Sequence, residues 1–173
     1  LERELGRQYH LITRDDRLDT LAKDIVRHFL GRGFVGKAMV VSIDKATALR
    51  MFNKVKQHWA VDLANTQKEL GELAYVPTEG GMTAEQARRE VRMDELKKRL
   101  NVLTTTDMAV VVSPGQNEIQ QMQLLGLDIE PHRKRMNDSI PGLDEKFKDT
   151  QDPLRLVFVC AMWLTGFDAP SCS

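Results

Sequence analysis

Cysteine is scarce in this sequence: Cys160 and Cys172 are the two among 173 residues. Two thiols build neither a disulfide framework nor a four-thiolate metal site, and Cys160, inside an apolar run, is expected to be a small buried hydrophobe. Histidine is also thin. His10, His28, His58 and His132 are scattered, with no His-Glu-x-x-His pair and no cysteine beside them, so no metal site is expected. No sign of charge predominates, because 25 Lys and Arg face 25 Asp and Glu. A global positive field that would announce nucleic acid is therefore lacking, although a local basic strip can still grip phosphates. Long hydrophobic runs are missing too: the longest, Leu156 to Leu164, falls far short of the ~20 residues that cross a bilayer. Leu1 to His10 is charged and holds no apolar signal-peptide core. These absences exclude membrane and secretory readings and predict a reduced, cytoplasmic chain.

What is present fits one globular domain with a sizeable core: 42% of residues are hydrophobic and 29% charged. Leu18, Leu21, Ile25, Val26, Phe29 and Leu30 recur at three- and four-residue spacing, predicting a helix from Asp16 to about Leu30. Asp15 or Asp16 is expected to cap it, with Gly31 and Gly33 as the stop. Three short apolar runs, Lys37–Ile43, Asp107–Ser113 and Leu154–Cys160, read as strands. Their apolarity is continuous rather than alternating, which predicts a parallel sheet covered on both faces.

Between the strands lie helical patterns. Asp44 opens a helix with Ala48, Phe52, Val55 and Trp59 on one face, and its periodicity weakens from Asn65 to Glu79. Thr83-Ala-Glu-Gln86 matches a capping box, followed by a charged helix to about Asn101 that reads as a solvated face laced with ion pairs. Ser113-Pro-Gly-Gln116 reads as a second capping box with proline at the first helical position. Its helix is expected to end by Gly126, and another short one lies around Glu145 to Lys148. Alternating strands and helices predict right-handed crossovers and an α/β fold with helices on both faces of a parallel sheet.

In such sheets ligands bind beyond the carboxyl ends of the strands. Three polar clusters fall there: Ser42-Ile-Asp44, Ser113 to Glu118, and Thr165-Gly-Phe-Asp168. Short hydroxyls, a glycine and free helix-start amides suit phosphate oxygens. Helix capping alone accounts equally for the first two clusters.

The third cluster is more distinctive. Thr165-Gly-Phe-Asp-Ala-Pro170, after an apolar strand and Met162-Trp-Leu164, resembles motif V of superfamily-two helicases. The longer string Val157 to Ser171 resembles the motor subunit of type I restriction enzymes. Val26-Arg-His-Phe29, Lys37-Ala-Met-Val-Val41, Gln116-Asn-Glu118, Pro131 to Met136 and Leu143 to Asp149 agree with that family in order. The resemblance implies a RecA-like (P-loop NTPase-like) second helicase lobe over residues 15–173, with 1–14 as a linker or interdomain segment. The chain stops inside the pattern, so a piece lacking the C-terminal part of that lobe is expected.

The implied whole is an ATP-dependent DNA translocase that couples hydrolysis to movement on double-stranded DNA and to cleavage. ATP and Mg2+ belong to the full-length subunit. Its implied partners are the first RecA-like lobe and the specificity and methyltransferase subunits. Neither a Gly-x-x-x-x-Gly-Lys-Ser/Thr loop nor an Asp-Glu-x-His/Asp box occurs here, so no catalytic residue is assigned and the isolated fragment is expected to be inactive. By resemblance, Gly166 and Asp168 approach nucleotide across the lobe interface, and Ser42 and Thr165 lie near the nucleic-acid backbone. Gln116 and Asn117 face either DNA or the neighbouring lobe; Arg133, with Arg135, is a further candidate for DNA. Trp163 and Phe167 are expected to anchor their loop in the core. Two other readings remain open: the second lobe of another superfamily-two helicase, and a non-catalytic nucleotide-binding α/β domain.

Overall fold

A computed structural model describes residues 2–33, 36–75 and 83–160. Helix α1 (Glu2–Ile12) is followed by α2 (Asp15–Gly31), strand β1 (Ala38–Ser42) and the long α3 (Lys45–Ala74). Then come α4 (Ala84–Thr105), β2 (Asp107–Val111), three short helices α5 (Glu118–Leu124), α6 (Glu130–Asp138) and α7 (Leu143–Lys148), and β3 (Leu154–Cys160). The sheet has the order β1-β3-β2, and both pairings are parallel. Ala38 stands opposite Leu156 and Ser42 opposite Cys160, so the carboxyl ends of β1 and β3 are level. The expected α/β architecture and all three strands are present.

Side chains alternate across the sheet, and each face has its own core. Met108, Val110, Leu156 and Phe158 point toward α2 and α3, where Leu18, Val26, Phe29, Leu49, Val55 and Trp59 close over them. Ala109, Val111, Val157 and Val159 point the other way, onto Leu143 and Phe147 of α7. The continuous apolarity of β2 and β3 is thus explained, since both rows of their side chains are covered; in the outer strand β1, Val41 is exposed. Burial of a side chain such as Phe158 contributes about 1.5–3 kcal/mol. The Trp59 indole N–H is satisfied inside the core by the carbonyl of Leu103 at 2.9 Å.

Lys37 is a charged residue buried among apolar ones. Its ammonium lies at the amino end of β1 and donates to the carbonyls of Lys146 and Leu154, both at 2.8 Å, and of Asp152 at 3.3 Å. It thereby joins β1 to the end of α7 and the start of β3.

Several local expectations are corrected. Neither Asp15 nor Asp16 caps α2: Arg14 holds the N-cap position without a side-chain bond, and its guanidinium instead grips Asp16 at 2.7 and 3.0 Å. The stretch 1–14, for which no helix was expected, contains helix α1. α3 continues through the stretch of weakened periodicity because α4 pairs with it in charge. Arg99 meets Asp62 at 2.6 Å, Arg92 meets Glu69 at 2.7 Å, and Arg89 donates to the carbonyl of Leu73 at 2.7 Å. The Thr83–Gln86 capping box is present with both reciprocal bonds. Ser113 starts no helix: α5 begins at Glu118, and the carbonyl an N-cap would give to its own helix accepts from Arg133 instead. The stretch around Pro131–Arg135, which carried no helical expectation, forms α6. Cys160 is half-buried against the larger core.

Candidate functional site

The carboxyl edge of the sheet gathers the loop after β1, the loop after β2 and the end of β3. Ser42 closes β1 and is buried. Two residues on, Asp44 is the N-cap of α3: its Oδ1 accepts from the amide of Thr47 at 2.7 Å and its Oδ2 from the hydroxyl of Tyr9 at 2.5 Å. Burial would raise the Asp44 pKa, but the hydroxyl of Tyr9 and the amide of Thr47 outweigh it and hold the carboxyl below its usual range.

The second loop runs from Ser113 to Asn117. Gln116 and Asn117 are exposed at its tip. Asn117 has φ 54° and ψ 23°, the one non-glycine residue with positive φ among the described residues. Asparagine tolerates this left-handed region better than most residues, which suits it to the turn into α5.

Behind that tip lies a triad of charges. Arg133 of α6 donates to Glu118 Oε1 at 2.7 Å and Oε2 at 2.9 Å. The same guanidinium reaches the carbonyls of Val112 at 3.0 Å and Ser113 at 2.9 Å. Lys45, the first residue of α3, meets Glu118 Oε2 at 3.2 Å. The bond from Arg133 dominates in lowering the Glu118 pKa, against burial and with help from Lys45. Gly115 passes close by: a Cβ there would sit 2.8 Å from Lys45 Nζ.

Of the residues singled out in the sequence, Ser42, Gln116 and Asn117 all lie on this edge. Arg133 is placed beneath it and spends its donors on Glu118 and two backbone carbonyls. Arg135 likewise turns inward, to Asp107 and to the carbonyl of Met108. His132 packs edge-on against Phe52 at 4.7 Å, and burial lowers its pKa. Of the four residues His132 to Arg135, Lys134 alone is exposed. Thr165, Gly166 and Asp168, with Trp163 and Phe167, lie outside the described residues. Among the described residues, no group of three His, Cys, Asp or Glu is placed to hold a metal. The sequence reading missed Lys45 and gave Glu118 no role. A charged residue opening the helix after each apolar strand was the available signal, but nothing local said that the two would meet.

The fold and this edge define the class: an α/β domain with a parallel sheet whose loops converge where such sheets bind ligands. Two curated relatives carry it further. The chain is 27% identical over 158 residues, 90% of its length, to a Methanocaldococcus jannaschii protein named as the MjaIXP endonuclease subunit of a type I restriction enzyme. It is 61% identical over 31 residues, 18% of its length, to the type I restriction enzyme HindI endonuclease subunit of Haemophilus influenzae. Curated homologues of this chain are thus type I restriction enzyme endonuclease subunits, in line with the resemblance read from the sequence. The matches span 10% of the first relative and 3% of the second. No protein-family profile and no solved structure matches the chain. No helix among the described residues is long and apolar enough to cross a membrane.

Proposed function

We propose that this chain is the second RecA-like lobe of the motor subunit of a type I restriction endonuclease, an enzyme that couples ATP hydrolysis to translocation along double-stranded DNA and to its cleavage. The observation that carries the reading is the alignment of 90% of the chain with an endonuclease subunit of such an enzyme. The parallel sheet supports it, because its carboxyl edge carries the Ser42 and Gln116–Asn117 loops on either side of β3. On this reading Ser42, Gln116, Asn117 and Thr165 lie along the DNA backbone, and Gly166 and Asp168 approach nucleotide. Arg133 serves DNA indirectly, by holding the loop.

ATP with Mg2+ would supply the free energy for movement. The described edge offers the buried Ser42 hydroxyl, a capping carboxylate and two cations already engaged with Glu118, which do not by themselves hold a triphosphate. Nucleotide is therefore assigned to Gly166, Asp168 and a first RecA-like lobe of the same polypeptide. The specificity and methyltransferase subunits would complete the enzyme.

The test is DNA-stimulated ATP hydrolysis by the complete subunit with its partners, run beside the 173-residue chain alone. The complete subunit is expected to hydrolyse ATP when duplex DNA is added, and the isolated chain to show neither ATPase nor nuclease activity. Turnover by the purified chain alone would place the site elsewhere and sink the reading.

A further inference from the structure

We infer that Glu118 is a positioning residue that locks the loop after β1 to the loop after β2, with Lys45 and Arg133 as its two arms; the inference rests on the DNA-translocase reading. β1 and β2 are not paired with each other, because both pair with β3 between them. No backbone pairing between the two strands therefore fixes one loop against the other. Lys45 is the residue that follows the Ser42–Asp44 turn, and Glu118 is the residue that follows Gln116 and Asn117. Their contact at 3.2 Å is therefore a direct strut between the starts of α3 and α5.

Arg133 completes the lock from below. It takes both oxygens of Glu118 and the carbonyls of the last two residues before Pro114, so the loop is held at its entry and at its exit by one planar group. Gly115 lets the loop backbone come close to the Lys45 ammonium. Glu118 is 9% exposed, which leaves its carboxylate little access to solvent or to a ligand. The tip residues Gln116 and Asn117 are exposed, as are Pro114 and Gly115 before them.

Electrostatics and positioning predict opposite signs. An acidic group near a DNA-facing edge repels phosphate, so its removal alone would tighten binding. If Glu118 instead sets the geometry of the tip, its removal weakens binding even though the protein gains positive charge.

The experiment is a titration of the complete subunit with a fluorescent random-sequence DNA duplex over a series of salt concentrations. Glu118→Gln is expected to weaken binding about tenfold. The slope of log affinity against log salt is expected to stay as it was, since the displaced tip residues Gln116 and Asn117 are uncharged. In a background carrying Gln116→Ala and Asn117→Gly, which keeps the left-handed turn, Glu118→Gln is expected to add nothing. Glu118→Asp serves if the glutamine variant does not fold: it keeps the charge and shortens the reach, and weakened binding is again expected. Unchanged or tighter binding, or a deficit that adds in full to that of the tip variant, overturns the inference. Failure of the unsubstituted subunit to bind duplex at all would instead remove the DNA reading beneath it.

Discussion

The hydroxyl of Tyr9 donates to Asp44, and the other oxygen of the same carboxylate caps α3. One side chain thus starts the helix after β1 and ties the N-terminal helix to the candidate edge. The bond to Asp44 is the main reason the Tyr9 pKa is raised, with burial and the charge of Asp44 adding to it.

Tyr9→Phe removes that tie and leaves the cap. The pair is exposed, so the loss is expected to be about 0.5–1 kcal/mol rather than the figure for a buried charged bond. Hydrogen exchange should show faster opening of α1 with the sheet unchanged. A sheet that loosens equally would mean that α1 and the core open as one unit.

Glu118→Gln should cost stability in a pH-dependent way. The folded pKa lies below the ordinary value of 4.5, so the contribution is present above that value and is lost as pH falls through the lowered one. At neutral pH the variant is expected to lose about 1–3 kcal/mol, because two cations lose a charged acceptor. Denaturant melts of both proteins should converge in acid. A gap that persists there would assign the loss to packing.

Lys37→Met leaves three carbonyl oxygens without their shared ammonium, and a loss of about 2–4 kcal/mol is expected. Burial lowers the Lys37 pKa, partly opposed by Asp152 and Asp149. Between that lowered value and 10.5 the unfolded chain binds more protons, so this residue makes stability rise with pH across the window. The methionine variant should lack that rise. Urea melts at two alkaline pH values would show it.

Asp168→Asn addresses the nucleotide. Asparagine caps a helix about as well as aspartate, so a capping role predicts near silence. Loss of a charged acceptor worth about 1.5–3 kcal/mol predicts a ten- to hundredfold fall in DNA-stimulated ATP hydrolysis by the complete subunit. Turnover and thermal stability should be measured on one sample. If both are unchanged, Asp168 has no part in handling nucleotide.

Features that depend on neighbours in sequence were legible: the capping box at Thr83, the cap at Asp44, and the face of Ala48, Val55 and Trp59. Strands β2 and β3 were legible too, since double-sided burial writes itself as unbroken apolarity; β1 shows the same apolarity with Val41 exposed. What escaped depends on partners far along the chain. The second half of α3 looks aperiodic because Asp62 and Glu69 answer to Arg99 and Arg92 on α4 rather than to an apolar core. The Ser113 motif looked like a helix start until Arg133, twenty residues later, took its carbonyl. Arg133 and Arg135 were candidates for DNA, yet they close on Glu118 and Asp107 of the same domain.

The order β1-β3-β2 has a consequence for synthesis on the ribosome. The central strand is the last of the three to be made, and among the described residues the two outer strands have no other pairing. Until Leu154–Cys160 emerges, the nascent chain carries two apolar strands without the strand that joins them. Such non-local closure is slow, and its intermediates are prone to stick to one another. Joining of β1 and β2 into one sheet is thus set to wait for β3, and a stalled chain ending before residue 154 should be a client for chaperones.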